Sequence, residues 1–188
     1  MAHDAEDGGL AVERFRSYLL LLARTRLRGL PDARLNASDV VQQTLLDAHR
    51  QRQQFRGQGP SEMAGWLRRM LACNLADAQR ALHRDKRDVD RERSLEAELA
   101  ESSARLASWL AADQSSPSQQ AERNEQALRL ADALAALPES QREAIVLHYW
   151  QGCSLAETAQ QLGRTPAAVA GLLHRGLRTL RDLLNESE

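Results

Sequence analysis

The sequence predicts an all-α protein of two small helical domains joined by a linker. Composition is the first reason: of 188 residues, 31 are Leu and 30 are Ala, while Val, Ile and Thr together number 12. Ala and Leu cost little in a helix, and β-branched residues carry most sheets. The second reason is apolar residues recurring at helical spacing along most of the chain. The third is the set of capping and breaking residues that cut this pattern into helices of ordinary length. A chain of this length has room for one or two small domains, not for a multi-domain enzyme. Aromatics are 4% of residues, so the cores are aliphatic.

The first helix is predicted over Phe15 to Leu27, with Phe15, Tyr18, Leu19, Leu22 and Leu27 toward one face. Gly29-Leu30-Pro31-Asp32 breaks it. Asn36 is a cap with Asp39 in the turn behind it, and Val41, Leu45 and Ala48 follow at i, i+4, i+7. Phe55 to Pro60 is a glycine-rich loop, and Ser61 is expected to cap the next helix. That helix carries Met63, Trp66, Leu67, Met70, Leu71, Leu75 and Ala78 at a 3.6-residue period. Trp66 falls on this stripe and is expected in the core. The helix runs into the charge run His83 to Arg87, which reads as a solvated end.

Leu95, Leu99, Leu106 and Leu110 share a possible helix face, with Trp109 beside them. The polar stretch Asp113 to Gln120 has linker composition. Domain boundaries are therefore expected at 10–87, 88–127 for an acidic linker, and 128–188. In the last segment Leu130, Ala133, Leu134 and Leu137 form a helix stopped by Pro138. Glu139 to Trp150 is helical up to Gly152. Ser154 and Glu157 have the spacing of a capping box, and Gly163 ends that short helix. Thr165 caps a final helix with Pro166 at its first position. Its stripe is Val169, Leu172, Leu173, Leu177, Leu180 and Leu184.

Formal net charge is −1, but the charge is segmented. Residues 14–87 sum to +9, residues 88–127 to −5, and 163–181 hold four Arg and no acid. Of the 25 cations, 24 are Arg, the side chain suited to bidentate phosphate and base contact. Cys73 and Cys153 stand 80 residues apart, with no ligand spacing around them, so neither a metal site nor a disulfide scaffold is expected. No cofactor motif and no catalytic constellation occurs, so no enzyme is expected. Residues 18–23 are the longest apolar run, too short to span a bilayer, and the acidic start is unlike a secretory signal. A cytoplasmic protein without membrane insertion is expected.

Two short helices joined by a tight Gly turn, the second one capped, form a helix-turn-helix pattern. The second helix would lay its N-terminal residues in a major groove. Thr165, Ala167, Ala168, Ala170 and Gly171 would allow close approach, while His174 and Arg175 supply donors. A plain helical bundle with the same caps is the alternative to DNA binding.

Three motifs in the first half, Asp39-Val-Val-Gln42, Trp66-Leu-Arg-Arg69 and Asn74-Leu-Ala-Asp77, resemble the second conserved region of bacterial RNA polymerase sigma factors. Leu137 to Glu143, Ser154-Leu-Ala-Glu157 and Leu173-His-Arg175 resemble their fourth region. Both sets, in this order and at this separation, resemble an extracytoplasmic-function (ECF) sigma factor of the sigma-70 family. The resemblance spans about residues 14–85 and 128–184.

The resemblance implies a promoter-recognition factor rather than an enzyme. Its implied partners are core RNA polymerase (clamp and flap), promoter DNA at the minus-ten and minus-35 elements, and, as a further candidate, an anti-sigma factor. Asp39, Val40, Gln42, Gln43 and Leu46 are implied to dock on the polymerase clamp. Phe55 and Arg56, with the loop that follows, are implied to hold an extruded base of the minus-ten strand. Arg68, Arg69, Asn74, Asp77 and Arg80 are implied to meet strand or bases. The recognition helix is implied to read the minus-35 duplex, and His174 and Arg175 stand at their expected places. Ala170-Gly171-Leu172 departs from the family, which often has a basic residue, Ser and Arg there. The linker is implied to thread toward the polymerase cleft. The competing readings are an autonomous helix-turn-helix regulator and a helical adaptor or anti-sigma-type binding protein.

Overall fold

The computed structural model describes residues 12–28, 35–83, 89–110 and 119–186, and among them there is no strand. The chain divides into two compact units, Met1–Leu128 and Arg129–Glu188. The expectations for Met1 to Gly9, the Gly29 break, the Arg84–Arg87 run and most of the Ser/Pro stretch lie outside the described residues. No described helix is long and apolar enough to cross a membrane.

In the first unit, α1 (Arg16–Leu27) buries Tyr18, Leu19, Leu22 and Ala23. The Asn36 side chain accepts from the Ser38 amide and starts α2 (Ala37–Arg50), as its type at that position predicts. A 3₁₀ turn, Arg52–Gln54, leads to a short loop. Helix α3 (Gly59–His83) then begins two residues before the expected Ser61 cap. Gly59 sits at φ +88, a conformation glycine adopts freely, and Pro60 occupies the first turn, where its missing N–H costs nothing. Leu67, Leu71 and Leu75 are fully buried along this helix.

The segment expected as a linker contains α4 (Val89–Leu110), which packs on α3 and α1. Leu95, Leu99 and Leu106 are each about 1% exposed, so the leucine stripe is a packing face. The side chains of Trp109 and Leu110 lie outside the described residues. Tyr18 buries its hydroxyl and donates to Ser103 Oγ on α4 at 2.7 Å. Arg68 on α3 donates to the same tyrosine oxygen at 2.8 Å. A buried hydroxyl needs such partners. Three helices are thereby tied at one polar point inside an aliphatic core.

Ion pairs add to this docking: Arg69 to Glu96 at 3.0 Å, Arg80 to Glu92 at 3.1 Å, Arg26 to Glu98 at 3.0 Å. Their weights differ from that of the leucines. A fully buried Leu is worth roughly 1.5–3 kcal/mol. The Arg69–Glu96 pair is 67% and 39% exposed, and an exposed pair is worth about 0–1 kcal/mol. The leucines hold α4 in place, and the surface pairs are replaceable.

α5 (Gln119–Ala136) ends just before Pro138, as the proline predicts. Arg142 donates to the carbonyls of Ala135 and Leu137, satisfying groups left open at that helix end. In the second unit α6 (Glu139–Ile145) widens into a π turn over Val146–Trp150, where Gln151 N–H reaches Val146 O, five residues back. An uninterrupted α-helix was the expectation. The π turn accompanies a tie between His148 Nδ1 and the Cys153 carbonyl at 2.8 Å. α7 (Leu155–Leu162) and α8 (Pro166–Asn185) complete the unit. α6 and α7 both pack on α8, whose Val169, Leu172, Leu173 and Leu180 are buried.

Candidate nucleic-acid and polymerase interface

The turn between α7 and α8 is built locally. Ser154 Oγ accepts from the Glu157 amide at 3.2 Å, and the Glu157 carboxylate accepts from the Ser154 amide at 2.8 Å. Hydrogen bonding by the Ser154 side chain, then by its backbone N–H, holds the Glu157 carboxyl below the ordinary carboxylate range. Gly163 takes the left-handed conformation at φ 61 and lets the chain reverse. Thr165 Oγ1 accepts from the Ala168 amide, and Pro166 fixes the first turn of α8.

The α8 face opposite the core is open. Thr165, Ala167, Ala168, Ala170, His174 and Arg175 are exposed, and Gly171 is half-buried. The Arg175 guanidinium folds back over Gly171; a Cβ there would come within 3.3 Å of Nη1. Close packing is tightest at the inner side. A Cβ on Gly176 would meet Ile145 Cδ1 at 2.8 Å and Gln141 Cβ at 3.2 Å. Gly176 therefore sets how near α8 lies to α6.

In the first unit, Asp39, Gln42, Gln43 and Leu46 form one exposed stripe along α2, at helical spacing. Leu46 is 46% exposed, one of two large apolar side chains so placed among the described residues. Gln43 donates to Asp47 at 2.9 Å. Val40 is a correction: it was expected on this stripe and is buried. Val40, Thr44 and Ala48 stand at i, i+4, i+8, which turns Val40 inward with the core.

Behind that helix, the Phe55 ring lies against Trp66 with centroids 5.2 Å apart, and the Arg52 guanidinium sits 5.2 Å from the Phe55 centroid. Trp66 is half-buried at the edge of the stripe instead of inside the core. Gly57 folds tightly under this cluster, since a Cβ there would come 2.5 Å from Phe55 Cζ. The Gln58 amide donates to Glu62 at 2.6 Å, fixing the loop to the start of α3. Arg56 is exposed on that loop.

The α3 candidates divide. Arg69 is exposed and paired to Glu96. Asp77 is exposed and pairs with Arg80, which is largely buried and also holds Glu92. Arg68 instead points inward to Tyr18, and Asn74 donates to Thr44 at 3.1 Å and to Asp47 at 3.3 Å. These two side chains lie between helices, where the buried Tyr18 and Thr44 hydroxyls and the half-buried Asp47 carboxylate accept from them. Their placement is a correction to the expectation that both face a strand.

The chain is 31% identical over 171 residues to the ECF RNA polymerase sigma factor SigD of Mycobacterium bovis, covering 91% of this chain and 74% of that protein. The chain belongs to the ECF RNA polymerase sigma factors. It is also 33% identical over 152 residues to the RNA polymerase sigma factor CarQ of Myxococcus xanthus, covering 81% of this chain and 76% of that protein. The probable RNA polymerase sigma factor RfaY of Xanthomonas campestris is 32% identical over 149 residues, 79% of this chain and 34% of that protein. The family model described as Sigma-70, region 4, matches residues 127–180 of this sigma factor. That span contains the capping box, the glycine turn and the small-residue face of α8.

Two features of this sigma factor were not evident from its sequence. Arg52 and Trp66 bracket Phe55, and only the i, i+3 spacing of 52 and 55 hinted at it. Glu92 and Glu96 engage the arginines of α3, and their i, i+4 spacing was the available signal.

Proposed function

We propose that the first unit docks on core RNA polymerase and reads the minus-ten element, and that the second unit reads the minus-35 element. The observation that carries this is the open face of α8: six candidate contacts are exposed on one side while Val169, Leu172 and Leu173 are buried on the other. A helix so placed after a tight turn enters a major groove with its N-terminal residues against base edges. Arg175 and His174 supply donors, and the small residues admit the duplex. Membership of the sigma factors favours promoter reading over an autonomous regulator.

On the first unit, Asp39, Gln42, Gln43 and Leu46 are the docking contacts for the clamp, with the apolar Leu46 at the centre. Phe55 with Trp66 is a stacking platform for an unpaired base, and Arg56, Arg69 and Arg80 track the strand. Asp77 positions Arg80. Helix α4, Val89–Leu110, packs within the first unit, so it serves that unit's fold and not as a tether. The protein acts in the cytoplasm, catalyses no reaction itself, and takes the polymerase flap and an anti-sigma factor as further partners.

Reconstituted transcription tests the reading. Core polymerase with this protein should give discrete start sites from a genomic library, with protection of two elements upstream of each start. Absence of any promoter-dependent product, or tight duplex binding by the protein without polymerase, contradicts it.

A further inference from the structure

Two of the three arginines assigned above to the promoter strand, Arg69 and Arg80, are already engaged by carboxylates. Arg69 Nε lies 3.0 Å from Glu96, and Arg80 Nη1 lies 3.1 Å from Glu92. Both carboxylates belong to α4, one turn apart, on the side of that helix facing α3. A carboxylate at this distance makes the charge-assisted contact that a phosphate oxygen would make. We propose that Glu92 and Glu96 stand in for promoter phosphate and hold Arg69 and Arg80 off DNA in the free protein. The proposal rests on the reading that α3 meets the strand.

The helix that carries these acids does not leave. Its Leu95, Leu99 and Leu106 are buried, and Ser103 is held by Tyr18. Exchange happens at the side chains: a phosphate displaces a carboxylate, and α4 stays docked. The two pairs are unequal. Arg69 is open to solvent and releases first, whereas the Arg80–Glu92 pair is 17% and 14% exposed and is held harder. An arginine that stays on its own carboxylate neutralises no phosphate, and one that exchanges leaves a carboxylate that takes up a cation in place of the one released from DNA, so masking also flattens the salt dependence.

The test uses the full chain and a fluorescent single-stranded oligonucleotide of mixed sequence, titrated across a range of salt. E92Q/E96Q should bind roughly tenfold tighter at low salt, with a salt slope steeper by about one to two. E101Q/D132N makes the same net charge change at two exposed acids and should leave binding near the unaltered level. The gain should vanish when R69Q/R80Q is added to E92Q/E96Q. An equal gain in E101Q/D132N, or a gain that survives R69Q/R80Q, overturns the proposal in favour of a bulk charge effect. E96Q alone, at the exposed pair, should show part of the gain with an unchanged melting curve; no gain there counts against the mask. The underlying reading fails separately: R69Q/R80Q that opens promoters normally with core polymerase shows that α3 does not meet the strand.

Discussion

The arginines of α3 and those of α8 live in opposite electrostatic surroundings. On α3, Arg69 and Arg80 each face a carboxylate from a neighbouring helix, and Arg68 is consumed by a buried hydroxyl pair. On α8 and its turn, Arg164, Arg175, Arg178 and Arg181 are exposed, and among the described residues none of them forms an ion pair. One surface is charge-compensated within its own fold, the other is not. The near-neutral formal charge of −1 thus hides two different arrangements of charge. Net charge describes solubility and long-range steering, and here it conceals where a polyanion finds purchase.

The contrast can be broken in several ways, beginning with the largest effect. Leu46→Asp places a charge at the centre of the α2 stripe and should abolish capture by core polymerase. Region 4 should stay folded in that variant, read as an unchanged unfolding transition of the second unit. Capture at the unaltered level would move the docking surface elsewhere.

Next come the adjacent arginines of α3. Arg68→Ala strips a donor from the Tyr18–Ser103 pair and should cost the first unit about 1–3 kcal/mol in a denaturant melt. Arg69→Ala should change that stability by less than about 1 kcal/mol, yet reduce promoter opening. Equal melts for the two variants would erase the inward–outward division of the helix. A similar cost belongs to the second unit. Gly176→Val pushes branched methyls into the crossing with Ile145 and Gln141, and should destabilise that unit by about 1–3 kcal/mol.

Arg175→Ala probes the open arginines directly. If it touches a base, minus-35 binding by the polymerase complex should weaken by about 1–3 kcal/mol and discrimination should relax at one position. A uniform loss across sequences would make Arg175 a phosphate contact.

The smallest expected effect concerns pH. Glu157 titrates below its ordinary value because the folded state hydrogen-bonds its charged form. Its contribution is therefore complete above the ordinary glutamate range and is lost as pH falls through the lowered value. Ser154→Ala keeps the backbone N–H bond but loses the side-chain one, so it should reduce this acid-side loss, and the stability curves of the two proteins should draw closer as pH falls. Parallel curves would assign the dependence to other carboxylates.

What the sequence disclosed was what local chemistry decides. Asn36, Ser154, Gly163, Thr165 and Pro138 act within a turn of themselves, and each marks a helix boundary in the structure. The all-α class followed from composition, and the α8 face from the spacing of its apolar residues. The site was less legible where direction depends on distant partners. Arg68 and Arg69 are identical in type and adjacent in sequence, yet one points to Tyr18, 50 residues earlier, and the other to Glu96, 27 residues later. Val40 and Val41 look alike in an exposed or a buried register until the helix rotation is fixed by packing. The acidic composition around α4 suggested a tether because its charge is plain, while its three leucines, 4 and 7 residues apart, are few. A packing stripe so sparse is visible only once there is something to pack on.

The tie between Tyr18, Arg68 and Ser103 has a practical consequence for dissecting the molecule. A fragment ended at residue 87, where the charge run closes the apolar pattern of α3, would lose Ser103 and leave the surfaces once covered by Leu95, Leu99 and Leu106 facing water. Such a piece should aggregate or melt early. One extended through Leu110 keeps its hydroxyl partner and the leucine cover of α3, and one extended through Leu128 takes in the whole of the first compact unit.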